Sequence, residues 1–385
     1  MVKKYFCAKI IIPLLILYVK HFLIFLLFLE KGDYLLSEVL SHFAVMNTTT
    51  PYGNGHINST FHVGDHGEML LQRINKNVFK SPENVMENIA KVTAFMREEI
   101  IKAGGDPERE TLNVMPTIDG KDFYKTPDGE YYRMYRFIGI TVSYDLPESP
   151  KDFENAGKGY GKFARLLDKF DINSLHVTIK DFHNTAKRYE TFLKTLEVDA
   201  FHRASEVKDL IDFVIERASY TNVIMKELES GAIPYRVTHN DTKLKNILLD
   251  AKTRETVCVI DLDTVMPGSL LFDFGDAIRS GANHGQEDDQ NLDNVYIDME
   301  LYEAFKKGYL SETECIMNER EKELLPFGAI LMTFEWGMRF LTDYLDGDNY
   351  FKTHRDRHNV DRAASQFKLV KTMEEAFGIS AEQFK

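Results

Sequence analysis

The chain reads as an α+β protein in two parts. A small, mostly antiparallel sheet with one helix covers about residues 45–140, and a mostly helical part follows. Three observations carry this. Glycine turns and alternating apolar residues crowd the first part. The charged, proline-bearing stretch SYDLPESPKDFE ends it. Beyond that stretch apolar residues recur at helical spacing, interrupted by one polar loop and two short apolar runs.

The first thirty residues stand apart. MVKKYFCAKIIIPLLILYVKHFLIFLLFLE holds two apolar runs, Ile10–Val19 and Phe22–Leu29, split by Lys20 and His21. Each is shorter than the about 20 apolar residues of a membrane helix. Together they fit an imperfect membrane helix with Lys3, Lys4 and Lys9 inside, a signal peptide without a clean cleavage pattern, or an extension read from an upstream start codon. Residues 1–31 are therefore set apart as an apolar extension. Membrane contact, through residues 5–29, is expected only if that segment is real; the remainder is expected to be cytoplasmic.

From Asp33 the pattern turns globular. Leu35, Val39, Leu40 and Phe43 stand at helical spacing. Gly53 and Gly55 mark a tight turn. Phe61 and Val63 alternate with polar neighbours, Gly64 to Gly67 makes a hairpin turn, and Met69–Ile74 is the returning strand. SPENVMENIAKVTAFMREEI is a helix, with Ser81 as cap, Pro82 in the first turn and a stripe of Val85, Ile89, Val92 and Met96. TLNVMPTIDG and EYYRMYRFI read as further strands. Helices are expected over 152–169, 181–196, 205–230, 288–308, 311–325, 327–346 and 360–375. Between the third and fourth lie the loop RVTHNDTKLKN and two short strands, ILLD and TVCVI.

Hydrophobic residues make up 44% and charged residues 28% of 385, an ordinary folded composition with room for a sizeable core. The net charge of -13 gives no electrostatic case for nucleic acid. A phosphate-rich ligand stays open, because helix ends, local cations and a metal offset the overall field. Cys7, Cys258 and Cys315 form no metal-ligand spacing, and an odd number argues against a disulfide framework.

The polar loop carries the chemistry. Asp241 lies in it, Asn246 stands just before one strand and Asp261 just after the other, so a hairpin turn at Lys252–Arg254 lets the last two face a common point. That set suits phosphoryl transfer. A carboxylate orients an attacking hydroxyl and accepts its proton, while an amide oxygen and a second carboxylate hold Mg²⁺ on the phosphates. The plain alternative is that Asp and Asn satisfy a turn.

THNDTKLKNILLD followed by CVIDLD resembles the catalytic signature of the aminoglycoside phosphotransferase and choline kinase family. YGNGHINSTFHV…LLQRIN, SHFAV, YYRMYRFI and RFLTDYLDGDNYF are similar to N-acetylhexosamine 1-kinases. The resemblance covers about residues 35–380. It implies a protein-kinase-like bilobal fold: a small antiparallel-sheet lobe over 32–140 that binds nucleotide, and a mostly helical lobe over 141–385 with the catalytic loop and acceptor site. It also implies ATP and Mg²⁺ as cofactors and the anomeric hydroxyl of GlcNAc or GalNAc as acceptor. Relatives with other acceptors use an aminoglycoside, choline, homoserine or methylthioribose, and a kinase-like binding protein without turnover is a third possibility.

Roles follow from the resemblance residue by residue. Asp241 matches the base that faces the sugar hydroxyl, Asn246 the first metal position and Asp261 the second. Asp263 is a further ligand or stands behind one. His239 matches the loop histidine, with bracing of the backbone weighed above proton transfer. Lys243 either neutralises the transferred phosphoryl group or is solvated. Asp273 in FDFGD has the letters of the protein-kinase metal motif but follows no strand pair, and resembles an aspartate that braces the loop.

For the nucleotide, the backbone at Gly53 and Gly55 is expected to cover the phosphates. His56, Asn58 and Thr60 are candidates for phosphate or sugar. Arg73 replaces the usual strand lysine; of Gln72 and Arg73 only one can point inward, and Arg73 is chosen, with Glu87 or Glu83 as partner. Met134, Tyr135 and Phe137 match the hinge for adenine, or simply form an edge strand. For the acceptor, Glu335, Arg339, Thr342 and Asp343 stand around Trp336 and Phe340 at helical spacing. Arg339 is the preferred substrate contact; Trp336 is a sugar face or part of a core stripe. The acidic GQEDDQNLDN at 285–294 would suit a cationic acceptor, but reads more simply as a solvated loop with a helix start.

Overall fold

The computed structural model describes residues 36–45, 48–53, 58–64 and 68–385. The expectations for residues 1–31, for Gly55 and His56, and for the turn after Gly64 lie outside the described residues. The chain forms two compact units. One holds the described residues up to Val78 together with Val114–Phe137; the other holds Phe79–Asn113 and Ile138–Lys385.

The first unit is an antiparallel sheet of β1 (Thr49–Pro51), β2 (Ser59–Val63), β3 (Met69–Ile74), β4 (Val114–Met115), β5 (Tyr124–Lys125) and β6 (Tyr131–Arg136), in the order β1-β2-β3-β6-β4 with β5 also on β6. Alternation sorts its faces. Val63, Leu71, Tyr132 and Met134 pack with Val39, Leu40 and Phe43 of a helical segment over 36–41 and the turn after it. Gln72 and Arg133 are cross-strand partners on the other face. The stretch TLNVMPTIDG yields only the two-residue β4, because Pro116 brings no N–H to a ladder.

The second unit begins with α1 (Pro82–Lys102), then β7 (Thr141–Val142), α2 (Pro150–Leu166), α3 (Thr185–Val198), α4 (Lys208–Glu216) and α5 (Val223–Ser230). Four short strands follow: β8 (Arg236–Thr238), β9 (Ile247–Asp250), β10 (Thr256–Val259) and β11 (Met266–Gly268). Then come α6 (Leu270–Gly281), α7 (Met299–Thr313), α8 (Leu325–Leu345) and α9 (His358–Phe377). Helix α8 is apolar almost all round, and packs against α3, α6 and α9. Each fully buried Leu, Ile or Phe there contributes about 1.5–3 kcal/mol, so α8 is the post on which the unit is built.

Several expected helices are redrawn. The run 205–230 is divided into α4, a 3-10 turn at Ala218–Asn222, and α5. In that turn the Thr221 hydroxyl donates to Ala218 O, the local competition that makes such residues poor helix formers. The run 288–308 becomes helical only at Met299, where Asp298 accepts the N–H groups of Glu300 and Leu301. The Asn and Asp residues before it make turns instead, Asn291 accepting from Asp293 N. Of 311–325 only one turn, Glu319–Glu323, is a separate helix, opened by an Asn318–Glu321 capping box. Strands β8 and β11 were not expected; at three residues each they are too short to show a period.

Candidate active site

The polar loop hangs between two antiparallel pairs. Strand β8 pairs with β11, where Thr238 and Met266 are Cα partners and the Thr238 hydroxyl donates to Met266 O. Strand β9 pairs with β10, and Ile260 N donates to Asn246 O at 2.9 Å. The second pairing sets Asn246 beside Ile260, so Asp261 is the next residue along. Asp261 adopts the left-handed conformation, φ 61° and ψ 56°, and is exposed. An aspartate tolerates that conformation at modest cost, and a cost held at one position needs support around it.

The loop backbone is tied down group by group. Both carboxylate oxygens of Asp273 accept main-chain donors, His239 N at 2.8 Å and Asn240 N at 2.7 Å. Thr242 N donates to Asp276 and the Thr264 hydroxyl to His239 O. The Tyr160 hydroxyl donates to Lys243 O at 2.7 Å. His239 is fully buried; its Nε2 donates to Ile260 O, and its Nδ1 accepts from Asp241 N. Those partners fix one tautomer of the ring and leave neither nitrogen to a substrate proton.

Asp241 sits in the middle of this scaffold. The Lys243 ammonium is 3.0 Å from its Oδ1, and Asn246 Nδ2 donates to its Oδ2 at 3.1 Å and to its main-chain O at 2.8 Å. Burial would raise the Asp241 carboxyl. The Lys243 ammonium outweighs burial and holds it at about 2. The same pairing raises Lys243. The residue is thus a carboxylate throughout the neutral range.

No group of three or more His, Cys, Asp or Glu side chains among the described residues is placed to hold a metal alone. Mg²⁺ does not require one, since it binds through one or two protein oxygens plus phosphates and water. The donor set fits that pattern. Asn246 spends its amide nitrogen on Asp241, and Asp261, the residue after the Ile260 that bonds Asn246 O, is exposed. Asp263 is buried.

Near Lys243 lies a cationic aromatic cluster. Three cations stand over the Trp336 ring: Lys243 at 5.4 Å from its centroid, Arg279 at 4.7 Å and Arg339 at 4.3 Å. Arg279 is buried and paired with Asp276 at 2.9 Å. Arg339 is also buried, and its Nη1, like Trp336 Nε1, is shielded from water with no hydrogen-bond partner. An unmade hydrogen bond of that kind costs about 1–3 kcal/mol, so both donors are suited to an incoming acceptor. The other expected pocket residues are occupied. Glu335 is fully buried against His183 and Thr185, the Thr342 hydroxyl donates to Met338 O, and Asp343 accepts from Tyr350 N and Phe351 N.

The nucleotide candidates lie in the first unit. Gly53 has φ +72°, a value that favours glycine. Asn58 accepts from Asn75 N, which closes the β2–β3 end. Of the Gln72 and Arg73 pair, Gln72 is the half-buried one, bound to Thr60 and to Arg133, while Arg73 is exposed. Arg133 is the fully buried cation of this sheet. Sequence reading passed over it, although its place between Tyr132 and Met134 already put it on the opposite face. Met134 is buried in the sheet core, Tyr135 is buried under the Arg133 guanidinium, and Phe137 packs edge-on to His62.

A model of the phosphotransferase enzyme family matches residues 48–315. Among solved structures, the chain is similar to an aminoglycoside phosphotransferase from Alicyclobacillus acidocaldarius, with TM-score 0.60 and 12% identity over 90% of this chain and 95% of that one. It is similar to a microcompartment-associated aminopropanol kinase, with TM-score 0.57 and 16% identity over 90% and 99%. It is also similar to a choline/ethanolamine kinase family protein from Mesorhizobium loti, with TM-score 0.54 and 17% identity over 90% and 94%. The shared fold is the bilobal kinase-like one, an N-terminal sheet lobe and a C-terminal helical lobe.

Proposed function

Because this chain belongs to the phosphotransferase enzyme family, we propose that it carries the terminal phosphoryl group of ATP to the anomeric hydroxyl of an N-acetylhexosamine. The coarser statement is the family's own: the protein is an ATP-dependent phosphotransferase of small molecules. In the proposed mechanism Asp241 faces the acceptor hydroxyl and takes its proton as the new P–O bond forms. It is ready to do so because Lys243 keeps it ionised. Lys243, close to Asp241, neutralises charge on the transferred group. Asn246 and Asp261 would hold Mg²⁺, which when bound screens the phosphate charges. His239 keeps the loop in shape and moves no proton.

The observation that carries the sugar is the cationic cluster around Trp336. Lys243 and Arg279 are paired with Asp241 and Asp276, so the charge a cationic acceptor would meet there is chiefly that of Arg339, while a neutral polyol would meet an aromatic face. The acidic segment offers little to a cation, since Glu287 pairs with Arg279, and Asp288 with Arg355 and His358. A second reading, an amine-bearing alcohol as acceptor, is favoured by the names of the similar structures, which are an aminopropanol kinase, a choline/ethanolamine kinase family protein and an aminoglycoside phosphotransferase.

The test is ADP release from Mg-ATP with GlcNAc, GalNAc, glucose, galactose, choline, aminopropanol and kanamycin, with loss of the sugar's reducing end as a second readout. Turnover with the N-acetylhexosamines, lost in Asp241→Asn, is expected. Turnover only with the amines would replace the first reading by the second.

A further inference from the structure

His183 and Glu335 have no part in the mechanism above, yet they meet the catalytic loop. Glu335 is on α8 and His183 lies two residues before α3. Both are buried, the carboxylate completely. His183 Nδ1 is 2.9 Å from Glu335 Oε1, and His183 Nε2 is 3.2 Å from Asn240 O. We infer that His183 is a positioning residue: Glu335 orients its ring through Nδ1, and its Nε2–H grips the Asn240 carbonyl and so fixes the peptide that carries Asp241. This rests on the reading of Asp241 as the base.

The hydrogen-bond arithmetic supports it. A main-chain carbonyl only accepts, so Nε2 must carry a proton. The other ring nitrogen faces Glu335, whose second oxygen accepts the Thr185 hydroxyl at 2.6 Å, so the ring is clamped at both ends. Burial pushes the Glu335 carboxyl up, but His183, Arg339 and Thr185 bring it below the usual range. A buried acid without such a partner would be costly.

The position matters because Asn240 is under constraint. Its φ of 65° is left-handed. Its N–H is held by Asp273, and its side-chain nitrogen by Thr238 O and Thr264 O. The carbonyl is the remaining group of that peptide, and His183 holds it. The neighbourhood of the ring is otherwise apolar or countercharged. Phe182 and Phe272 stand at 4.5 and 5.4 Å between ring centroids. Among charged groups, Glu335 and Arg339 come from α8, Arg188 from α3 and Asp273 from α6.

The experiment uses the full chain. Histidine labelled with ¹⁵N gives a long-range ring spectrum, and His183→Gln identifies the signal. A proton on Nε2 is expected; a bare Nε2 overturns the inference. Turnover is then read as ADP release from Mg-ATP with N-acetylglucosamine, or with water as acceptor if the sugar reading fails. Glu335→Gln is expected to lower kcat roughly 10- to 100-fold, the scale of a small misplacement of a reacting group, with KM for ATP nearly unchanged, a split that a general loss of packing would not give. A folded Glu335→Gln protein with wild-type kcat overturns the inference. If the variants do not fold, the wild-type spectrum decides alone. Turnover surviving in Asp241→Asn defeats the base reading and the link to catalysis, but not the Nε2–H bond to Asn240.

Discussion

Asp241 and Asp273 stand in the same loop environment and are driven in opposite directions. Lys243 holds Asp241 at about 2 against its burial. Burial wins at Asp273 and pushes it up to about 6, despite two main-chain donors. Asp241 therefore adds stability above its unfolded value of about 3.9, and loses it as pH falls through about 2. Asp273 holds a proton in the folded state that the unfolded chain has released, so its term weakens stability as pH rises from about 4 to about 6. Its bracing role requires the ionised form, whose two oxygens accept His239 N and Asn240 N. Turnover is expected to fall as pH is lowered through about 6, with Asp273 setting the limb. Asp273→Asn, left with one acceptor oxygen, should lose roughly 1.5–3 kcal/mol of stability and should no longer show that limb in a kcat–pH profile. Lys243→Met should raise the Asp241 carboxyl, since the main opposition to burial is then gone, and an acid limb belonging to Asp241 should appear at higher pH than in the wild type. Asp241→Asn should cut kcat by about 10²–10⁴ and, by taking the partner of Lys243 away, should lower Tm as well. At this scale the loop residues were legible because they crowd into one short run. Glu335 and His183 were not legible as a pair, because the bond joining them spans 152 positions.

Helices α2 and α7 meet through glycines. A Cβ on Gly157 would stand 2.3 Å from Phe305 O and 2.9 Å from Tyr309 N, and one on Gly308 would stand 2.0 Å from Glu154 O. These neighbours are backbone, so relief requires the helices to part. Gly157→Ala and Gly308→Ala should each lower stability by about 1–3 kcal/mol, the usual range for overpacking, read as a lower denaturation midpoint with an unchanged slope. Elements were legible in proportion to their length and period. Helix α8, expected over 327–346 and found at Leu325–Leu345, shows how well a long buried run declares itself. The helix expected from 288 failed because Asn291 and Asp298 make turn and cap bonds there, which apolar periodicity cannot show. The β8–β11 pair failed for the opposite reason. Its strands are short, and the Thr238 bond to Met266 O that joins them is decided by tertiary placement.

Taken as a whole, the chain carries a net charge of -13, but it gathers cations where the acceptor is proposed to bind. Added salt should change the binding of a neutral acceptor only slightly and that of a charged one more, a contrast that KM values at two ionic strengths would reveal. Among the described residues no helix is long and apolar enough to cross a membrane. The two-lobed plan was legible from the change from strand to helix periodicity, while the membership of α1 in the larger compact unit was not, since it depends on bonds such as Asn88 to Val265 O. Trp336 is the only tryptophan of the chain, and it lies in that larger unit under three cations. The protein thus has a built-in fluorophore at one address. Its emission reports on the helical unit, and the arrival of an acceptor among its charged neighbours would change its colour without any label.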